Sequence, residues 1–423
     1  MAGTEVDRRT LLKRGALGIG AAGAGALLGA GGAVGSRALR DAAAPPAPGG
    51  AATADTVAST GAGGDLAGFG GEALDCHGEH QAGVTTRPAA HAVYAAFALL
   101  PETDAAALGR LLRVLTDDIE GLTSGAGPLA DPEPELAARP ARLTVTVGVG
   151  SEFVARAGAD VPAWLAPLPA FSRDRLSGAY DGGDLLLIVQ ADDLLPVSHA
   201  LRMLGRDLAG FARPVWTQRG FRQARGAEGD GATMRNLMGQ IDGTVNPAPG
   251  EDDFDGLVWL GSEAGPFEGG SAFVLRRIRM ELDAWDRVDR PGREQSMGRR
   301  LADGSPLSAP AETATERTPV DFDAKNSLGL SAIPLASHIR RAHSTDPVER
   351  IFRQAMNYDD GGESGLLFGC YQRDPLTQFV PIQQRLDEAD LMNEWVTHTG
   401  SAVFAILPGF HRGERLGDSL FAG

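Results

Sequence analysis

The chain has 423 residues, with 39 Lys and Arg against 55 Asp and Glu for a formal net charge of -16, which excludes a general phosphate-backbone binder because that affinity comes from cationic side chains. At 43% hydrophobic and 22% charged residues, it buries sizeable cores rather than remaining disordered throughout. Its two cysteines, Cys76 and Cys370, allow one disulfide at most and exclude a disulfide framework or a four-cysteine zinc site.

Residues 1–54 are rich in Ala, Gly, Leu and Pro around a short charged start, and are expected to lie outside the fold. Arg8-Arg9-Thr10-Leu11-Leu12-Lys13-Arg14 precedes a weakly apolar run, Gly15 to Gly35, broken repeatedly by glycine. Glycine adds little transfer energy and weakens a helix, so the run makes a poor membrane anchor and looks like a twin-arginine export signal. That reading expects the twin-arginine translocase as a partner and an extracellular or cell-envelope location, with folding and cofactor loading before export. Ala42 to Gly64 reads as a flexible spacer.

In the folded part, Asp104 to Gly121 has apolar residues at helical spacing, Leu143 to Val149 alternates with period two, and Leu185 to Gln190 is a continuous apolar run bounded by Gly183 and Asp192. These predict a helix and two strands. Pro196 to Phe211 predicts a helix, Ser271 to Met280 a strand, Pro347 to Met356 a helix, Gly365 to Tyr371 a strand, Leu386 to Thr397 a helix and Ser401 to Leu407 a strand. Gly298 to Asn326, rich in Pro, Ser, Ala and Thr, predicts a long surface connection. The economical reading is an α+β protein of two similar lobes, residues 55–230 and 231–423.

Few residues offer chemistry on their own. Gly239-Gln240-Ile241-Asp242-Gly243-Thr244 sets a carboxylate between glycines ahead of Asn246-Pro247, which fits either close backbone approach to a ligand or an ordinary Asp-Gly turn. His338 lies in Pro334-Leu-Ala-Ser-His-Ile-Arg-Arg-Ala-His343, with Arg340, Arg341 and Arg353 near it in sequence. That is a structural histidine on a solvated face, or a metal ligand beside an anionic cofactor. His77-Gly-Glu-His80 matches neither HExxH nor the usual zinc spacings, so the expectation is against a metal on that pair.

Seven segments in order resemble the dye-decolourising haem peroxidases, in the exported branch that includes the deferrochelatases. They are Gly78-Glu-His-Gln-Ala-Gly83, Gly182-Gly-Asp-Leu-Leu-Leu187, Arg235-Asn-Leu-Met-Gly-Gln-Ile-Asp-Gly-Thr244, Gly270-Ser-Ala-Phe-Val-Leu-Arg-Arg-Ile-Arg279, Ser337-His-Ile-Arg-Arg-Ala342, Gly365-Leu-Leu-Phe-Gly-Cys-Tyr-Gln-Arg373 and Ser401-Ala-Val-Phe-Ala-Ile-Leu-Pro-Gly409. The resemblance implies two ferredoxin-like lobes, each an antiparallel sheet with flanking helices, and one haem b per chain held mainly by the C-terminal lobe. It implies Asp242 as distal acid/base, Arg353 as distal arginine, and His338 as proximal iron ligand. Gly243, Thr244 and Val245, Arg340, and the loop His343, Ser344 and Thr345 would contact haem, with Leu366 and Phe368 on its distal face. His343 is a rival ligand, and its loop departs from the Asn-Pro-Arg common in the family. Asp390 or Glu394 would support the proximal histidine. The implied activity is oxidation of dyes, phenols or other organic reductants by hydrogen peroxide. The alternative is haem binding that releases iron, as part of an iron-uptake system. Electrons would leave through a surface Trp or Tyr, with Trp216, Trp285, Trp395 and Tyr358 as candidates although most of them are expected to be core aromatics, and a homo-oligomer is compatible with all of this.

Overall fold

The computed structural model describes residues 66–229 and 231–421, so the twin-arginine run, the apolar stretch and the spacer lie outside the described residues. Among the described residues, the strands are β1 (His91–Leu99), β2 (Thr144–Val149), β3 (Leu185–Ala191), β4 (Ala212–Phe221), β5 (Ser271–Met280), β6 (Phe352–Asp359), β7 (Ser364–Gln372) and β8 (Val396–Ile406). They close into one barrel in the order β1-β3-β2-β8-β5-β7-β6-β4. The first four strands run β4-β1-β3-β2 and the last four β8-β5-β7-β6, the same antiparallel order in each half. The fold is therefore α+β with two ferredoxin-like lobes. Their sheets meet edge to edge at Gly148–Ile406 and Val149–Ala405 on one side, and at Phe221–Asn357 on the other.

Alternation along the strands explains the two sides of the barrel wall. In β1, Ala92, Tyr94 and Ala96 pack with Leu186, Ile188, Phe273, Leu275 and Phe404 inside. Val93, Ala95 and Phe97 join the outer cluster under α1 (Ala105–Ser124), α2 (Ser151–Ala157) and α3 (Leu194–Leu208). Helix α1 starts where Asp104 accepts the Ala107 amide at 2.8 Å and ends at left-handed Gly125. Its Leu108, Leu111, Leu112, Leu115, Ile119 and Leu122 share the buried face, each leucine contributing about 1.5–3 kcal/mol relative to exposure.

The C-terminal lobe is built differently on its outer face. There α4 (Arg290–Met297), α5 (His338–Ala342) and α6 (Phe379–Ala389) stand off the sheet. Met234, Met238, Met280, Trp285, Leu366 and Met392 form a small cluster beneath them, and a cavity remains between the layers.

Several expected elements are corrected. Residues predicted as a helix over Pro347 to Met356 instead enter β6, where Phe352 and Met356 face the barrel interior and Arg353 and Ala355 the outer side. Most of β6 is buried, so its apolar residues fall at a spacing that mimics a helix. The helix predicted over Leu386 to Thr397 ends at Ala389. Asp390 then caps a 3-10 turn, Leu391–Glu394, by accepting the Met392 amide at 3.0 Å, and β8 follows. Strands β1 and β4 went unpredicted. Gly298 to Asn326 is irregular as expected, yet it is no mere surface connection, because Arg299, Glu316 and Phe322 line the cavity. Cys76 and Cys370 are both free and buried.

Candidate functional site

The cavity measures about 760 Å³ and lies against the outer face of β5, β6 and β7. Its walls carry apolar side chains from three directions: Ile278 and Met280 on β5, Leu366 and Phe368 on β7, and Met238 and Met392 from the connecting segments. Of the residues expected at the site, Asp242, Gly243, Thr244, Val245, His338, His343, Ser344, Arg353, Leu366, Phe368 and Asp390 all line it. Arg340, Thr345 and Glu394 do not. The Arg340 guanidinium is used on the carbonyls of Phe322 and Ile333, the latter at 2.9 Å, while Thr345 and Glu394 are exposed. Arg341 is likewise committed elsewhere, to the Arg385 carbonyl at 2.9 Å and Glu388 at 2.8 Å. Arg340 and Arg341 thus brace α5 against its neighbours, and of the three arginines only Arg353 reaches the cavity.

His338 opens α5, and its Nδ1 lies 2.6 Å from Asp390 Oδ2. Asp390 is 4% exposed and its other oxygen accepts the Met392 amide. With Nδ1 donating to Asp390, Nε2 is the nitrogen available to a metal. A third of the His338 side chain remains accessible, at the cavity wall. Burial disfavours its charged form, but the Asp390 carboxylate outweighs that, and the His338 pKa is raised overall. The rival, His343, sits in different company. It packs on Phe322 with ring centroids 4.7 Å apart, and its pKa is lowered by burial and then by Arg385 and Arg340. Asp390, not Glu394, is the carboxylate that meets the histidine.

The second polar group comes from the loop after β4 and from β6. Arg353 Nη1 lies 3.5 Å from Asp242 Oδ1, and Asn236 Nδ2 lies 3.5 Å from the other carboxylate oxygen. Gly243, at φ 124°, takes a backbone conformation that side chains disfavour and turns the chain immediately after the carboxylate. In the sequence, Asn246 marks only an extended or turning backbone ahead of Pro247. Its side chain donates to the Arg353 carbonyl at 2.9 Å and accepts the Arg353 amide at 2.7 Å, pinning that arginine's backbone. Glu316, from the long irregular segment, accepts Thr233 at 3.0 Å and Thr244 at 3.1 Å and so holds the Asp242 loop. No local pattern in the sequence marks either residue.

The donor set fits haem on physical grounds. One imidazole is presented with a carboxylate behind it, the walls are largely apolar, and a separate Asp–Arg pair lines the same cavity. Such a volume is within the range of enclosed cofactor sites. Four aromatic residues were expected as electron exits, and they divide by position. Trp216 and Tyr358 belong to the barrel interior. Trp285 is 1% exposed, donates to the Met238 carbonyl at 3.0 Å beside the cavity, and meets half-buried Trp395 edge-on at 5.1 Å.

Comparison with known proteins agrees over most of the chain. The family model "Dyp-type peroxidase, N-terminal" matches residues 81–222, and "Dyp-type peroxidase, C-terminal" matches residues 233–411. A dye-decolorizing peroxidase of Thermobifida fusca is 40% identical over 299 residues, covering 67% of this chain and 68% of the relative. A deferrochelatase of Yersinia pestis is 32% identical over 361 residues, 79% of this chain and 81% of the relative. The crystal structure of a DyP-type peroxidase from Cellulomonas bogoriensis superposes with a TM-score of 0.81 at 47% identity, covering 84% of this chain and 100% of that one.

Proposed function

This chain belongs to the Dyp-type peroxidase family and is a haem-dependent peroxidase, and from that premise we propose that His338 holds the haem iron while Asp242 and Arg353 work on hydrogen peroxide. The observation that carries this reading is the pair of polar arrangements lining one apolar cavity: His338 held by Asp390, and Asp242 paired with Arg353. Bound haem would supply the redox-active iron for cleaving peroxide and for accepting electrons from organic reductants, dyes or phenols among them. Asp242 removes a proton from hydrogen peroxide and returns it to the oxygen that leaves as water, so one carboxylate serves as base and then acid. It does so only when ionised in the resting protein. Arg353, 3.5 Å from Asp242, is a fixed cation placed to stabilise the charge that develops on peroxide. Asp390 holds the His338 ring in one tautomer and raises its basicity as a ligand.

Stopped-flow mixing with peroxide tests the assignment. Asp242→Ala should retain haem and slow the peroxide reaction by about 10²- to 10⁴-fold, the usual worth of positioned acid–base catalysis. A wild-type rate in that variant removes Asp242 from the mechanism and leaves Arg353 as the candidate. The name of the Yersinia relative supports a second reading, release of iron from haem. Free iron with intact porphyrin after incubation with haem would favour it, and steady dye oxidation with haem intact would favour the peroxidase. We further propose export of the folded protein by the twin-arginine route, on the strength of Arg8, Arg9 and the glycine-rich run after them.

A further inference from the structure

A second depression, of about 560 Å³, shares no lining residue with the haem cavity. Asp75, Cys76 and His77 meet there beside Asp117, Glu120 and Arg412. We propose that Asp75, Cys76 and His77 bind a divalent transition-metal ion of the zinc class, with Glu120 holding the His77 ring.

Three consecutive residues seldom aim their side chains at one point, because neighbours in extended chain alternate. Here the Asp75 carboxylate accepts the His77 backbone amide at 3.1 Å and folds the segment back on itself. As a result, one donor atom from each residue lies within 4.8 Å of the other two. Cys76 Sγ is 3.8 Å from His77 Nδ1, and Asp75 Oδ1 is 2.5 Å from the same nitrogen. Zinc bond lengths place tetrahedral S, N and O donors about 3.3–3.6 Å apart. The sulfur–nitrogen separation is close to that, and the Asp75 side chain, 59% exposed, can pivot to open the shorter one.

Behind the cluster, His77 Nε2 lies 2.8 Å from Glu120 Oε1 on α1. A carboxylate on the remote nitrogen is what orients a metal-binding histidine and leaves its near nitrogen as an acceptor. The ring is further held edge-on by Phe410, with centroids 5.2 Å apart. Two carboxylates face the single imidazole, and the buried Cys76 thiol lies beside it. Arg412 Nη2 sits 3.2 Å from Asp75 Oδ2, the oxygen not turned to the histidine, so it neutralises charge without filling the donor position. A thiolate, an imidazole and one carboxylate suit a borderline-soft ion, and three protein donors leave a fourth position for water. His80, the partner suggested by the sequence, is used elsewhere: Nδ1 meets the Gly269 carbonyl at 2.7 Å and the ring stacks on Trp259.

The test is calorimetric titration of the haem-loaded protein with zinc chloride after chelator treatment, with elemental analysis of dialysed samples. One zinc per chain is expected, with the Cys76→Ser/His77→Ala double variant binding at least about 100-fold more weakly and Glu120→Gln about 10- to 100-fold more weakly. The haem spectrum and peroxide reaction should be the same in all of them. Equal zinc binding by the wild type and both variants would overturn the proposal, as would no zinc binding by the wild type. Should the double variant fail to fold, Glu120→Gln decides by itself, since it removes no ligand and alters one hydrogen bond.

Discussion

Asp390 joins two parts of the chain that sequence reading could not order. One oxygen meets His338 Nδ1 and the other accepts the Met392 amide, so the same carboxylate caps a helical turn and sets a histidine's tautomer. Removing it leaves the ring free to rotate and its Nδ1 without a partner. Asp390→Ala should therefore loosen haem by about 10- to 100-fold, read as the rate of haem transfer to excess apomyoglobin. An unchanged transfer rate would mean that cavity packing alone positions the ring. At this scale the sequence motifs carried Asp242, His338 and Arg353, the residues proposed to work on cofactor and peroxide, and all three line one cavity. The supports were harder. Asn246 reads as a turn residue and Glu316 as part of a polar loop, and only tertiary contact brings them to Arg353 and to the Asp242 loop. Arg340 erred in the other direction, since sequence neighbours on one turn of helix need not share an environment.

Between elements, the contact of α1 with α3 contains a charge problem. Asp118 on α1 and Asp207 on α3 face each other, and Asp207 is raised well above the carboxylate range, by burial first and then by the Asp118 carboxyl. A raised acid binds its proton more tightly folded than unfolded, so its contribution to stability is greatest at low pH and is lost as pH rises from the ordinary carboxylate range towards the folded value. Asp207→Asn should remove that loss, melting higher than the wild type at about pH 8 and little differently at about pH 4. Equal melting differences at both pH values would place the effect in packing. Element identity was legible in α1, whose leucines keep a helical period, and in β2 and β3, whose apolar residues alternate or run on unbroken. It failed elsewhere, β4 included although only one of its faces is buried. In β6 both faces are covered, and in the α6–β8 region a single carboxylate ends one helix, caps a turn and precedes a strand within a few residues.

For the molecule as a whole, barrel closure is the constraint that neither lobe's sequence displays. The two lobes share a strand order, but each sheet taken alone would leave two edges open, and edges are exposed templates for wrong pairing. Closure depends on β2 finding β8, residues 148–149 against 405–406, and on β4 finding β6. These are non-local pairings, entropically slow to form, and the first cannot exist until nearly the whole chain has been made. His338, Asp390 and Asp242 belong to the half made last, and β8 is needed to complete its sheet, so the cavity is assembled only when nearly the whole chain is available. A chain threaded unfolded across a membrane would have to achieve this without a cytoplasmic supply of haem, whereas the twin-arginine route moves a finished globule. On the proposed twin-arginine export, replacing Arg8 and Arg9 together by Lys should strand folded, haem-loaded protein in the cytoplasm, measured as the Soret absorbance of cytoplasmic and exported fractions. If the exported fraction keeps its haem absorbance in that variant, the arginine pair is not the address, and the chain leaves the cytoplasm by another path.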